Sequence, residues 1–263
     1  MIRSTFDDHM LFKFHLLSES KDVVHFITAR QGGASKPPYE SFNLSLNVGD
    51  KVEDVLLNRS KLAFLAGISK ERIYFPDQRH TANIKEVTIG TLPEELLNTD
   101  ALVSNTKDCC ITVLTADCVP VLLYDREKHA IAVIHAGWRG TIEMIVTKTI
   151  RFMEENYKSK ASDLMACLGP SISWQNYEVG DEVSGLFRSK FGSNSKVIKF
   201  IACSNKAHID LCKANRLLLV ESGVLTQNIE VSRLCTFDKP GLFFSARRDG
   251  IESGRIATCI MLK

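Results

Sequence analysis

The chain has 263 residues, a length that suits one large domain or two small ones and can bury a sizeable core. Its 33 Lys and Arg residues nearly balance 31 Asp and Glu residues, and the formal charge of +2 argues against a basic surface for nucleic acid or anionic lipid. Hydrophobic residues at 44% and charged residues at 24% argue against disorder. The longest apolar runs fall far short of the roughly 20 residues of a membrane helix, so we expect a soluble protein.

The chain contains eight cysteines, which is its most unusual count. The first residues lack the apolar segment of a signal peptide, and no Cys-x-x-Cys motif occurs. A disulfide framework and a zinc ribbon are therefore both disfavoured. We expect reduced thiols and a cytoplasmic location.

The predicted elements begin with a strand over residues 23–28 and a helix that ends at Gly67, with Asp50 and Glu53 at the spacing of a capping box. Further strands are predicted over residues 84–89, 110–115, 119–124 and 130–135. A helical period then starts at Thr141. It is followed by a strand over 164–168, helices from about 181 and over about 210–222, and a final strand over 256–262.

No low-complexity linker, charge block or internal repeat divides the sequence. Strands follow one another directly in some places and through helices in others. This mixture predicts an α+β fold with mixed sheets flanked by helices. We expect a single domain over residues 1–263.

Reactive side chains occur where two predicted strands begin or end. Cys118 directly precedes one strand, and His135 ends the next strand along the chain. Because a tight turn connects these strands, antiparallel pairing would bring Cys118 and His135 together. His80, just before another predicted strand, is a third candidate.

These motifs resemble the YfiH family, also called the multicopper polyphenol oxidase or laccase-domain family. The resemblance covers nearly the whole chain, and its most specific motifs are Thr115-Ala116-Asp117-Cys118-Val119-Pro120 and His135-Ala136-Gly137-Trp138-Arg139-Gly140. Supporting segments include Gln78-Arg79-His80, Tyr177-Glu178-Val179-Gly180 and Phe244-Ser245-Ala246-Arg247-Arg248. The resemblance implies a YfiH-like fold of the cysteine hydrolase type. It also implies a metal site made by His80, Cys118 and His135.

Two residues depart from the family pattern. Thr81 stands where the family has glycine, and we expect it to alter access to the pocket. Ser171 stands where cysteine is common, but it replaces none of the implied ligands.

One thiolate and two imidazoles are good zinc ligands, and three protein ligands leave a fourth position for water. Zinc would then supply hydroxide at neutral pH. The same ligands can hold copper, but a blue-copper site usually adds an axial Met, and the candidate Met144 lies within a predicted helix. A multicopper oxidase also needs more histidines than the seven scattered ones here. We expect Zn²⁺, with copper as the alternative.

Other polar residues are candidates for acid–base chemistry and substrate binding. Asp117 adjoins Cys118 and is a candidate acid or base, although alternation along an extended segment would point it away from the thiol. Gln78 is a nearby substrate-binding candidate. A guanidinium grips phosphate through paired hydrogen bonds, which makes five arginines candidates for anion binding. They are Arg30, Arg139, Arg247, Arg248 and Arg255.

The resemblance implies a purine nucleoside enzyme. It would use phosphate to cleave adenosine, inosine, guanosine or methylthioadenosine to base and (methylthio)ribose 1-phosphate, and it would deaminate adenosine to inosine. Two alternatives stay open. One is a copper-dependent polyphenol oxidase. The other is a metal-free cysteine hydrolase that edits peptidoglycan precursors, with Cys118 as nucleophile and His135 as base.

Overall fold

The computed structural model describes residues 1–6, 9–201 and 206–263. The strands are β1 (Ile2–Phe6), β2 (His9–Lys13), β3 (Val23–Thr28), β4 (Ile73–Tyr74), β5 (Ile84–Glu86), β6 (Ala101–Ser104), β7 (Cys110–Thr115), β8 (Val119–Asp125), β9 (Ala130–Ala136), β10 (Met165–Leu168), β11 (Glu178–Val179), β12 (Ile198–Phe200), β13 (Ala207–Ile209), β14 (Ile229–Val231) and β15 (Ile256–Leu262). The α-helices are α1 (His15–Ser18), α2 (Val52–Ala66), α3 (Trp138–Ile142), α4 (Ile145–Tyr157), α5 (Asp181–Phe191), α6 (Leu211–Glu221) and α7 (Ala246–Asp249). Within these described ranges, no helix is long and apolar enough to cross a membrane.

The first sheet joins the two ends of the chain, with its strands in the order β1-β2-β3-β15-β7-β4. Strand β15 pairs antiparallel with both β3 and β7, and Cys259 lies opposite Phe26 on one side and Thr112 on the other. Every residue of β15 is buried. The last strand of the chain is therefore in the interior of this sheet.

The second sheet has the order β14-β10-β8-β9-β6-β5 and packs against the first. Leu122 and Val133 point towards the first sheet, where they share an apolar cluster with Ile111. Their neighbour Leu123 points the other way and clusters with Leu218 of α6. Because β8 and β9 are covered on both faces, they are continuous apolar runs in the sequence rather than alternating ones.

Helix α2 covers the outer face of the first sheet, where Leu62 and Ala66 cluster with Phe26 and Cys259. The layers are thus α2, the first sheet, the second sheet, and helices α4 and α6. A small third sheet has the order β11-β13-β12. The predicted α+β class with mixed sheets is confirmed.

Three local predictions need correction. Asp50 does not cap α2: one carboxylate oxygen accepts from the amide of Lys51, and the other accepts from Asn43. The helical period from Thr141 is divided between α3 and α4, because Met144 has a left-handed backbone with φ of 63°. The strand predicted over 84–89 ends at Glu86.

The β8–β9 hairpin sets the position of the reactive residues. In its antiparallel register Val119 lies opposite Ala136, and Pro120 lies opposite His135. Cys118, one residue before β8, is therefore next to the end of β9. The pairing predicted from the sequence is confirmed.

Candidate active site

A cavity of about 640 Å³ opens beside the start of β8 and the end of β9. Its wall combines reactive groups, arginines and apolar side chains. The residues that line it are Ser45, Asn47, Val48, Pro76, Gln78, Arg79, His80, Leu114, Ala116, Asp117, Cys118, His135, Ile172, Tyr177, Ala246, Arg247, Ile251 and Arg255.

His80, Cys118 and His135 meet in this cavity. Each offers one ligand atom, and the three atoms lie within 4.8 Å of one another. The Sγ of Cys118 is 3.9 Å from Nε2 of His80, and the two imidazole centroids are 4.9 Å apart. His80 reaches the cluster from the loop between β4 and β5, where its backbone has φ of 60°. A positive φ is costly for a residue other than glycine, so the surrounding contacts must hold this loop in place.

Asp100 supplies those contacts. One of its carboxylate oxygens accepts a hydrogen bond from Nδ1 of His135 at 2.7 Å and another from the amide of His80 at 3.1 Å. The other oxygen accepts from the amide of Arg79, and from the amide and hydroxyl of Thr81. Asp100 is fully buried. It therefore orients both histidines of the cluster.

The sequence interpretation missed Asp100, although a usable signal was present. Asp100 directly precedes the apolar strand β6, just as Cys118 directly precedes β8. The strand itself was not predicted, so the polar residue at its start did not stand out.

Electrostatics within the cluster favour ionised groups. Burial opposes ionisation of the Cys118 thiol, but the charge of His135 and hydrogen bonds from both imidazoles outweigh it and lower its pKa to about 6. Burial also opposes protonation of His135, whereas the Cys118 thiolate and the Asp100 carboxylate raise the imidazole pKa to about 9. Without a metal, the site favours a thiolate beside an imidazolium.

Gly137 leaves space for His80 and Cys118 to lie close to the end of β9. A Cβ atom at this position would lie 2.8 Å from Cδ2 of His80 and 3.1 Å from Sγ of Cys118. Both distances are shorter than ordinary van der Waals contact. The glycine in the His-Ala-Gly-Trp-Arg-Gly motif thus leaves room for the His80 ring.

Asp117 lines the cavity wall, and both of its carboxylate oxygens accept hydrogen bonds. One oxygen accepts from the hydroxyl of Thr236 at 2.6 Å. The other accepts from the hydroxyl of Ser245 at 3.0 Å and from the amide of Arg247 at 2.7 Å. This geometry argues against the predicted acid–base role, because one oxygen holds the segment that carries Arg247 and the other holds Thr236.

The structure separates the predicted substrate-binding residues. Gln78 lies in the cavity wall, where its amide exchanges two hydrogen bonds of 2.8 Å with the backbone of Leu114. Arg247 also lies in the wall, and its guanidinium donates to the carbonyl of Glu178. Arg255 lies in the wall too. Arg79, which was not predicted to bind substrate, also lines the cavity.

The other three arginines lie outside the cavity wall. Arg30 donates to the carbonyls of Glu40 and Pro240 and stacks on Phe244. Arg139 is exposed and stacks on Trp138. The guanidinium of Arg248 donates hydrogen bonds to three backbone carbonyls and to the carboxylate of Asp249. The structure does not place these three residues in the cavity wall. Backbone carbonyls bind the guanidinium groups of Arg30 and Arg248, and the guanidinium of Arg139 stacks on Trp138.

Thr81 acts differently from the expectation that it alters pocket access. It is not among the residues that line the cavity. Its hydroxyl instead donates to Asp100 at 2.8 Å. The departure from glycine therefore adds a contact to the carboxylate behind the cluster.

The donor set fits a small tetrahedral metal ion. Zinc prefers thiolate and imidazole ligands at about 2.0–2.3 Å, which corresponds to ligand atoms separated by under 4 Å. The 3.9 Å between Cys118 and His80 is close to this spacing. Asp100 also holds Nδ1 of His135, as the partner of a metal-bound imidazole usually does, and leaves Nε2 for the ion.

Comparison with known proteins places this site in a family context. Residues 24–263 match the family model described as multi-copper polyphenol oxidoreductase laccase. The chain is 40% identical over 271 residues to a Bacteroides thetaiotaomicron protein named purine nucleoside phosphorylase, covering 100% of this chain and 99% of that protein. It is 37% identical over 263 residues to Adenosine deaminase RL5 of an unknown prokaryotic organism, covering 96% and 99%. The crystal structure of YfiH from Bacillus licheniformis matches with a TM-score of 0.89 at 32% identity, covering 97% of this chain and 96% of that one.

A reactive cluster in a cavity, together with 40% and 37% sequence identity to two proteins named as enzymes, defines this chain as an enzyme. It belongs to the multi-copper polyphenol oxidoreductase laccase family, the YfiH family that its motifs resemble.

Proposed function

We propose that this enzyme cleaves purine nucleosides with phosphate, giving the free base and ribose 1-phosphate, and that it deaminates adenosine to inosine. Adenosine, inosine, guanosine and methylthioadenosine are the proposed substrates. The names of the two relatives support this assignment. The observation that carries it is the cluster of His80, Cys118 and His135 in the wall of a cavity large enough for a nucleoside.

We propose Zn²⁺ on these three side chains, with copper as the alternative. A zinc ion held there would supply Lewis acidity and, through a lowered pKa of water, hydroxide for deamination at neutral pH. The chain's own contribution is to fix the ligands. Asp100 orients His135 through Nδ1 and holds the His80 loop through backbone amides.

Phosphate would be held by arginines of the cavity wall. Arg255 is largely buried, and burial lowers the pKa of its guanidinium, while the negative charges of Cys118 and Asp117 act in the opposite direction. Arg247 is anchored through its backbone by Asp117 and reaches the wall from α7. Two guanidinium groups can bind phosphate oxygens and place one of them for attack on C1′ of the ribose.

The first test is turnover of adenosine. Purified protein incubated with adenosine and phosphate should yield inosine and free base, separated by chromatography. Leaving out phosphate should abolish base release and spare inosine formation. A Cys118→Ala variant should lose both activities, and a Cys212→Ala variant, changed outside the cavity, should keep them. Activity that survives in Cys118→Ala would remove the thiol from the mechanism.

A cysteine hydrolase is the second candidate. The lowered pKa of Cys118 and the alignment of His135 with Asp100 also suit a nucleophilic thiol. Elemental analysis of protein purified without added metal separates the two functions. One zinc per chain supports the nucleoside enzyme, and an active but metal-free protein supports the hydrolase. Copper with a visible charge-transfer band would support the polyphenol oxidase.

The proposed partners are small molecules, a purine nucleoside and phosphate. A formal charge of +2 gives no reason to expect nucleic acid or a membrane surface as a partner. The seven cysteines within the described residues are free thiols. A cytoplasmic location stays a prediction.

A further inference from the structure

Tyr177 differs from the other tyrosines of the chain. Its hydroxyl has no hydrogen-bond partner among the described residues, although its side chain lines the cavity. The other four tyrosine hydroxyls each have a partner: Val48 for Tyr39, Gly90 for Tyr74, Ser20 for Tyr124 and Glu86 for Tyr157. The Tyr177 oxygen is also not sealed in the protein interior. It is therefore free to meet a ligand in the cavity.

Contacts of the Tyr177 backbone and ring fix the position of the side chain that carries this hydroxyl. Its backbone amide donates to the carbonyl of Trp174, and its carbonyl accepts from Ile209. The ring packs against the apolar cluster of the second sheet. The Arg247 guanidinium lies 5.2 Å from the ring centroid. A donor held in this way reaches its target with little loss of conformational entropy.

The local charges keep the phenol protonated. Burial raises its pKa, and the negative charges of Cys118 and Asp117 raise it further, while Arg247 acts in the opposite direction. At neutral pH the hydroxyl therefore carries its proton. Arg247 is placed to stabilise the tyrosinate that would form after that proton is given away.

Other groups in the wall are less suited to donate a proton. Both oxygens of Asp117 accept hydrogen bonds, and the Gln78 amide is paired with Leu114 on both sides. Nδ1 of His135 faces Asp100. The Ser45 hydroxyl already accepts a hydrogen bond from the amide of Asn47.

We propose that Tyr177 is the proton donor to the departing purine, an inference that rests on the proposed phosphorolysis. As the bond between N9 and C1′ breaks, its electron pair goes to the purine, and a phosphate oxygen forms a new bond to C1′. The Tyr177 hydroxyl gives its proton to a purine ring nitrogen. The hydrogen phosphate dianion brings one proton and returns it to the tyrosinate, so the products are neutral purine and the ribose 1-phosphate dianion.

The test compares two substrates in a Tyr177→Phe variant. Inosine needs a proton on its leaving base, whereas 7-methylinosine already carries a positive charge on the ring and leaves without one. We expect the variant to lose about 10²- to 10⁴-fold in kcat/KM on inosine, the usual contribution of a positioned acid, and to keep nearly all its rate on 7-methylinosine. Because the oxygen has no hydrogen-bond partner in the described part of the chain, the thermal unfolding midpoint should not change.

Tyr157→Phe is the matched control, since it removes a hydroxyl that binds Glu86 outside the cavity wall. It should leave both substrates unaffected. Equal losses on both substrates in Tyr177→Phe would overturn the proton-donor role in favour of a structural one. An unchanged rate on inosine would also overturn it. A wild-type enzyme that cleaves neither substrate would overturn the proposed phosphorolysis itself, and this inference with it.

Discussion

At the scale of single residues, Asp100 is the group that joins the two histidines of the cluster. It accepts from the ring of His135 and from the backbone of His80. The partner of a metal-binding imidazole sets its tautomer and its direction. Metal affinity should therefore depend on a residue that touches no metal.

The Asp100→Asn variant tests this dependence. We expect zinc affinity, measured by competition with a chromogenic chelator, to fall by about 10- to 100-fold, because the neutral amide stabilises the metal-bound imidazole less. Asp108→Asn is the control, since Asp108 is exposed and has a left-handed backbone that Asn tolerates. Equal affinities in wild type and Asp100→Asn would contradict the role of Asp100.

The thiol of Cys118 should show its lowered pKa in metal-free protein. A thiolate is the reactive form, so alkylation by iodoacetamide should be fast at pH 7 and should fall as the pH drops through about 6. Burial raises the pKa of Cys212 to about 12, which makes this thiol an internal control that reacts slowly. Peptide mass spectrometry over a pH series measures both rates. A Cys118 midpoint near that of an ordinary thiol would contradict the ion pair with His135.

The identities of the three cluster residues were predictable because each belongs to a specific motif beside an apolar strand. The direction of side chains was harder to predict. Arg248 stands next to Arg247 in the same segment, yet the carbonyls of Thr236 and Phe237 bind its guanidinium group, and that of Pro240 binds the guanidinium of Arg30. Such contacts leave no mark in a local pattern.

At the scale of elements, the junction of β9 and α3 determines how closely His80 and Cys118 can approach it. Gly137 is the N-cap of α3 and lies against both His80 and Cys118. The junction thus needs a residue without a side chain.

The Gly137→Ala variant should push the His80 ring away from Cys118. We expect a loss of about 10²-fold in kcat/KM, as displacement of a reacting group by about 1 Å can produce, together with weaker zinc binding. Gly185→Ala is the matched control, because no atom lies within 4 Å of its added Cβ. That control should keep activity and gain up to about 1 kcal/mol of stability from the helix propensity of alanine. Full activity in Gly137→Ala would show that the contact is unimportant.

Strands that are buried on both faces were the most predictable elements. Strands β3, β7 and β15 have the predicted bounds because each is a run rich in β-branched and apolar residues. Strand β1 was missed because it is mostly exposed and lacks an apolar run. The break at Met144 was missed because both helices continue the same apolar period across it.

At the scale of the whole molecule, the position of β15 connects distant parts of the chain within the first sheet. The last strand lies between β3 and β7, which are themselves distant in sequence. Local patterns identify a strand but not its partners, so the sheet order was beyond the reach of the sequence. The α+β class followed from the mixture of elements alone.

Deletion of residues 256–263 should prevent folding. It removes a strand whose seven residues are all buried, and it leaves β3 and β7 with unpaired edges. We expect insoluble protein, or soluble protein without a cooperative thermal transition. Removal of Lys263 alone, which is exposed, should have little effect. A folded and active product of the longer deletion would contradict the central place of β15.

In the proposed function, the cavity that holds His80, Cys118 and His135 transfers ribose from a purine to phosphate. The most direct measurement is ³¹P NMR of the zinc-loaded enzyme with inosine and inorganic phosphate. We predict a new phosphate monoester signal that grows in step with free hypoxanthine and is absent from the Cys118→Ala variant. Inorganic phosphate as the sole phosphorus signal, with or without hypoxanthine release, would contradict the claim.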